Sequence, residues 1–341
     1  MALKSLEIKE LVKDPLYETP YLYNLYIIYT SIDNIDYLVY AKKTDILIFN
    51  LNLNTKQLTI KSAHSLQIIN FNYCKEMKNK RDLILSISEI DMNIKLWNGD
   101  TFECLFNFTN IFKNGHLYSA CFLENKDDIY IITSDFHLRS LKSSGIHVYD
   151  TNGKFLNEVN KSSGSWTAVC SIDTFYDDEL KKNYIITGNC GFCKSFDFEK
   201  NEFYKKYEDG DGQGMGVVCC FNIFTYKSKG KIRLIDTNTL GNIRIWDFHS
   251  SDLLNKIETN IDNLSSACLW NEQYLLFGGK NCIVEIYDLN KKKSVNTLFN
   301  INEQKNIVNI KKINHPLYGA SLILFDKNSI KVSQIIEEES K

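Results

Sequence analysis

Proline is scarce in this 341-residue chain, confined to Pro15, Pro20 and Pro316. With no proline-rich stretch and no long serine or glycine run, nothing reads as a linker, and one large domain is expected. Arginine is nearly as rare. Arg81, Arg139, Arg233 and Arg244 stand among 40 basic residues, so lysine carries almost all the positive charge. Arginine is the residue of bidentate phosphate recognition, and 42 acidic residues bring the formal net charge to -2. Both facts argue against a nucleic-acid partner. No two arginines are adjacent, and no G-x-x-x-x-G-K-[ST] phosphate loop occurs.

Long apolar runs are missing too. No segment approaches the roughly 20 apolar residues of a membrane-spanning helix. The opening MALKSLEIKELVKD alternates charged and apolar residues and lacks the apolar block of a secretory signal. The ten cysteines are therefore expected as thiols in a reducing compartment, cytoplasmic with the nucleus also open.

What is present is a repeat. Apolar residues make up 44% of the chain, enough for a sizeable core. DMNIKLWNGDTFECLFNF, GIHVYDTNGKFLNEV, FCKSFDFEKNEFYKKY, GNIRIWDFHSSDLLNKIE and CIVEIYDLNKKKSVNTLF share one plan. A short alternating strand ends in an aromatic residue, a polar turn follows, and a second strand returns. The aromatic recurs at Phe49, Trp97, Tyr149, Phe196, Trp246 and Tyr287, with Ser333 in the equivalent place, at intervals of 41 to 52 residues. Upstream of it lie strands with small residues and cysteine at their centre: YSACFL, TAVCSI, GVVCCF and SSACLW. Cys121, Cys170, Cys219, Cys220 and Cys268 read as compact core residues of an innermost strand. Another apolar run, such as LILSI or YLLFGG, separates the two markers. Four short strands per unit make a propeller blade.

The expected fold is all-β, a seven-bladed propeller spanning 1–341, with blades near 21–63, 64–113, 114–163, 164–211, 212–260, 261–302 and 303–337. The last unit lacks a fourth strand, while SLEIKELV (5–12) is a strand to spare. Pairing it beside Ile330–Ile335 would close the ring and remove an exposed edge.

On these residues the chain resembles the WD-repeat family of seven-bladed propellers. Trp246-Asp247 is its WD dipeptide, with Tyr149-Asp150, Phe196-Asp197 and Tyr287-Asp288 as looser versions. Gly115-His116 matches the family's glycine–histidine signature. The resemblance implies a buried polar network of His64, Asp91 and Trp97, with Ser86 or Ser88 as the hydroxyl member. It also implies a non-catalytic protein-interaction scaffold, as a subunit or adaptor of a larger complex; the alternatives are a propeller enzyme acting at the central channel, or phosphoinositide and membrane-surface binding through the lysine-rich lower face.

Sites are harder to read. DGDGQG (209–214) has the start of a calcium loop, but position twelve is Cys220 where calcium needs a bidentate glutamate. Cys190-Gly-Phe-Cys193 is one pair where a structural zinc site needs two. No catalytic residue, metal or cofactor is expected. The connections on one face, here called upper, are rich in acid, including Asp209, Asp211 and Asp236; those on the lower face are rich in lysine. The expected binding surface for a basic peptide or protein is therefore the upper face, with Tyr118, Phe136, Arg139, Trp166 and Met215 beside those three acids.

Overall fold

The structure is a computed structural model that describes residues 2–13, 26–88, 93–109, 116–136, 145–159, 169–210, 219–261, 264–279, 283–300, 307–326 and 329–338. Among them every regular element is a β-strand, and the strands form seven four-stranded antiparallel sheets. Blades 1 to 6 are simple meanders over 26–60, 68–108, 116–159, 169–207, 220–258 and 264–300. Blade 7 takes three strands from 307–338 and its outermost strand, Ala2–Lys13, from the other end of the chain.

Position within a blade explains the sequence of each strand. A second strand lies in mid-sheet with a neighbouring blade on either side, so both its faces are covered and it reads as a continuous apolar run. Tyr274–Gly279, YLLFGG, is buried at every residue. Outer strands have lost that cover: Thr55–Ile60, TKQLTI, is exposed over its first four residues. The apolar residues collect into seven clusters, each shared by two adjacent blades. One joins blade 7 to blade 1, where Phe325 stacks on Tyr26 at 3.4 Å between ring centroids.

The aromatic marker has a backbone counterpart. In blades 1 to 6 the outer strand bulges beside it, between the partners of Ile48/Phe49, Leu96/Trp97, Val148/Tyr149, Ser195/Phe196, Ile245/Trp246 and Ile286/Tyr287. The extra residue bends and twists the outer strand around the blade edge. The closing strand reproduces this feature: its register with the last strand shifts between Ser5 and Ile8, opposite Ile335 and Ser333. Its ladder runs from Ala2↔Glu338 to Lys13↔Ser329, longer at both ends than residues 5–12.

Leu3 carries much of the closure. It is 2% exposed and packs with Trp270, Leu276 and Ile335 in the cluster shared by blades 6 and 7. Leu3→Ala should cost about 2–4 kcal/mol and lower the urea unfolding midpoint. An unchanged midpoint would show that the strand lies on the ring without sealing it.

Candidate functional site

Blade 2 holds the expected scaffold network. His64, in the connection from blade 1, places Nε2 2.7 Å from Ser86 Oγ, and Trp97 Nε1 donates to the same oxygen at 2.8 Å. The hydroxyl member is therefore Ser86. Trp97 pairs with Ile84, which puts Ser86 diagonally across from it and Ser88 one side-chain pair farther away. Ser88 is buried with no hydrogen-bond partner among the described residues. Asp91 lies outside the described residues.

The same geometry recurs in blade 5 with charged residues. Trp246 pairs with Leu234, so Asp236 occupies the place of Ser86, and Arg244, opposite Asp236, occupies the place of Lys95. Trp246 Nε1 donates to Asp236 Oδ2 at 2.6 Å. Arg244 donates to Asp236 Oδ1 through Nε and Nη2 at 2.9 and 2.7 Å, to Asp209 Oδ1 at 2.9 Å and to the Gly191 carbonyl at 2.9 Å. Lys256 Nζ lies 3.4 Å from Asp209 Oδ2. Arg244 and Lys256 thus face Asp236 and Asp209, with the exposed Glu258 carboxylate 3.8 Å from Lys256. Burial disfavours the Arg244 cation, but the Asp236 carboxylate, together with Cys220 and Cys193, holds its pKa above the ordinary arginine value.

This network corrects the sequence reading of the upper rim. Asp236 is fully buried, and the Asp209 carboxylate is only 6% exposed. Both serve Arg244, and neither presents charge to a partner. Tyr118 and Phe136 lie on blade 3 strands, with side chains outside what is described. Arg139, Trp166, Asp211 and Met215 fall outside the described residues. Aligning the repeats on their tryptophans would have shown Asp236 in a scaffold position, because it precedes Trp246 as Ser86 precedes Trp97, to within one residue.

Two cavities lie against the inner strands of the described blades. One of about 440 Å³ is lined by inner strands of blades 1, 2, 5, 6 and 7 and includes Lys311. The other, of about 400 Å³, lies among blades 2, 3 and 4 and includes Asp173. Both groups are driven toward neutrality by enclosure. Burial lowers the Lys311 pKa, and it raises Asp173 to about 7 against the opposing effect of the Thr174 N–H.

The lower face is formed by turns joining inner to second strands and third to outer strands. Met77 is 72% exposed and Leu53 70%, and Leu317, Leu180 and Tyr176 are at least half exposed on the same face. Lone exposed apolar residues are ordinary. Here the two most exposed large ones among the described residues share a face. Several of the basic residues beside them are ion-paired: Lys78 with Asp128, Arg81 with Glu76, Lys227 with Asp178 and Glu179, and Lys291 with Asp288. The surface is a mosaic of both signs, not a uniformly basic patch.

No protein-family model matches the chain, and no curated protein matches it as a relative. The propeller rests on the blades themselves, and the WD-repeat likeness rests on the residues quoted above.

Two outcomes are expected. Arg244→Met leaves Asp236 buried without its cation and Asp209 with Lys256 alone, and should destabilise the protein by about 3–5 kcal/mol; a loss below about 1 kcal/mol in urea titration would contradict the network. Asp173 keeps its proton in the folded state at pH values where the unfolded chain has lost it. Its contribution to stability is therefore full below about 3.8 and disappears as pH rises through about 7. Relative to wild type, Asp173→Asn should gain stability between pH 5 and pH 8, and a pH-independent difference would contradict the raised pKa.

Proposed function

We propose that this protein is a non-catalytic interaction scaffold whose partner docks on the lower face. The observation behind this reading is the exposure of Leu53, Met77, Tyr176, Leu180 and Leu317 among ion-paired lysines. Large apolar side chains supply affinity in protein interfaces when a partner desolvates them, and surrounding charges set register and on-rate. Turns between strands hold four of these side chains and the end of an inner strand holds Tyr176, and the strands are fixed on both faces by neighbouring blades, so little order has to be gained on binding. The partner this surface suits is a protein that brings apolar anchors and mixed charge.

The upper face supports the earlier expectation of a basic partner less well, since two of its acids are consumed internally. Chemistry at the channel is favoured by one observation, the paired neutral bias of Asp173 and Lys311. A phosphoinositide headgroup would meet a lower face on which Asp128, Asp178 and Glu179 stand beside Lys78 and Lys227.

The test is affinity capture with quantitative mass spectrometry, comparing wild type with a variant carrying Leu53→Ser, Met77→Ser, Leu180→Ser and Leu317→Ser. These side chains are solvated, so the variant should fold and lose its partner by more than about tenfold, equivalent to about 1.4 kcal/mol. Leu240→Ser, on the upper face, is the control and should retain it. Loss in the control alone, or equal capture by all three proteins, would contradict lower-face docking.

A further inference from the structure

The cysteines at the junction of blades 4 and 5 are sorted by strand geometry into two groups. The CxxC pair divides, with Cys190 in a turn and Cys193 in the third strand of blade 4. The adjacent pair divides as well, with Cys219 just ahead of the inner strand of blade 5 and Cys220 in it. Cys193 and Cys220 turn inward beside Asp236, all three buried. Arg244 Nη2 is 3.3 Å from Cys220 Sγ and 2.7 Å from Asp236 Oδ1, so a guanidinium already fills the cation position there.

Cys190 and Cys219 form the other group with Cys170. The three sulfurs all lie within 4.8 Å of one another, and Cys190 Sγ is 3.9 Å from Cys219 Sγ. A metal with sulfur bonds of about 2.3 Å sets its thiolates about 3.8 Å apart in a tetrahedron and about 4.0 Å apart in a trigonal plane. The observed separation lies between these values. Cys170 is buried, whereas Cys190 and Cys219 are half-buried and reachable from the upper face. The expectation that Cys219 is a compact core residue does not hold.

The backbone prepares this convergence. Cys170 is the extra residue of an inner-strand bulge, since Val169 pairs with Asn189 and Ser171 with Gly188. Such a bulge re-aims a side chain. The turn at Cys190 is closed by Asn189 N–H donating to the Phe192 carbonyl at 2.9 Å, with Gly191 at φ 83°. Cys219 is fixed at both backbone polar groups: its N–H donates to Thr239 Oγ1, and its carbonyl accepts from Thr239 N–H, each at 3.3 Å. Blade 5 is held against blade 4 by Ser171 Oγ donating to the Cys220 carbonyl at 2.8 Å. A Cβ on Gly188 would sit 2.3 Å from that same carbonyl, so glycine is required for the approach. Thiols held this way need little reorganisation to bind a metal.

We propose that Cys170, Cys190 and Cys219 form a three-thiolate site for a soft cation, Zn2+ or Cu+. Thiolates select these ions over harder ones. Each thiol releases its proton to solvent as its sulfur–metal bond forms. Cu+ is satisfied by three sulfurs, and Zn2+ takes water or another small ligand in a fourth position.

The experiment uses the full chain, reduced and anaerobic. Zn2+ and Cu+ are titrated separately against a chromophoric chelator, and Co2+ reports thiolate coordination by its charge-transfer absorption. One equivalent of Zn2+ or Cu+ should bind. Cys190→Ser and Cys219→Ser should weaken binding by more than about 100-fold, beyond the usual effect of an outer-shell change. Cys104→Ser, which removes an exposed thiol far from the junction, should bind as wild type. In the wild type, the metal should also slow alkylation of Cys190 and Cys219, a readout that needs no variant to fold. The site is overturned if neither ion binds, if the two serine variants bind as wild type does, or if alkylation proceeds unchanged.

Discussion

A single blade cannot bury its own faces, and the structure depends on that constraint. Each four-stranded sheet is apolar on both sides in its second strand, and the cover must come from the blades on either side. A linear array would leave two such faces in water, so the array has to close. Closure needs a strand from the far end of the chain, and Ala2–Lys13 supplies it with the same outer-strand bulge that the other blades have. The ring is then uniform at its joint: Tyr26 and Phe325 pack across the seam between blades 7 and 1 as core residues do elsewhere.

Polar groups are handled differently from blade to blade. Blade 2 links its neighbour through hydrogen bonds among His64, Ser86 and Trp97. Blade 5 uses Asp236 and Arg244 at the corresponding pairs, and recruits Asp209 from the preceding connection and Lys256 from its own outer strand. Burying Arg244, Asp236 and Asp209, with Lys256 half-buried beside them, is tolerable only because every one has an opposite within about 4 Å. The consequence for function is direct. Asp209 and Asp236 on the upper face are internal structure, and this is why the proposed docking surface rests on the exposed apolar side chains of the lower face.

The fold was legible in the sequence because its signals are local. Period-2 alternation, a polar turn and an aromatic at the end of the third strand can each be read within a dozen residues, and their recurrence gave seven units. Ring closure followed from counting strands. Site assignments fared less well because they depend on contacts between units. Asp209 sits in a glycine-rich acidic stretch and reads as solvent-exposed; its partner Arg244 is 35 residues away on the next blade. Ser86 and Ser88 differ only in which one lies diagonal to Trp97, a matter of register. Cys170, Cys190 and Cys219 have no diagnostic spacing, since an inner-strand bulge, a turn and a blade-to-blade hydrogen bond bring them together.

The central functional claim is that the lower face is the docking surface, and hydrogen–deuterium exchange on the protein alone and in complex with its captured partner tests it most directly. The account predicts slower exchange in the turns at 51–54, 77–80, 178–181 and 316–318 when the partner is bound, with the upper connections unchanged. Protection confined to the upper connections, with the lower turns exchanging at their original rate, would contradict it.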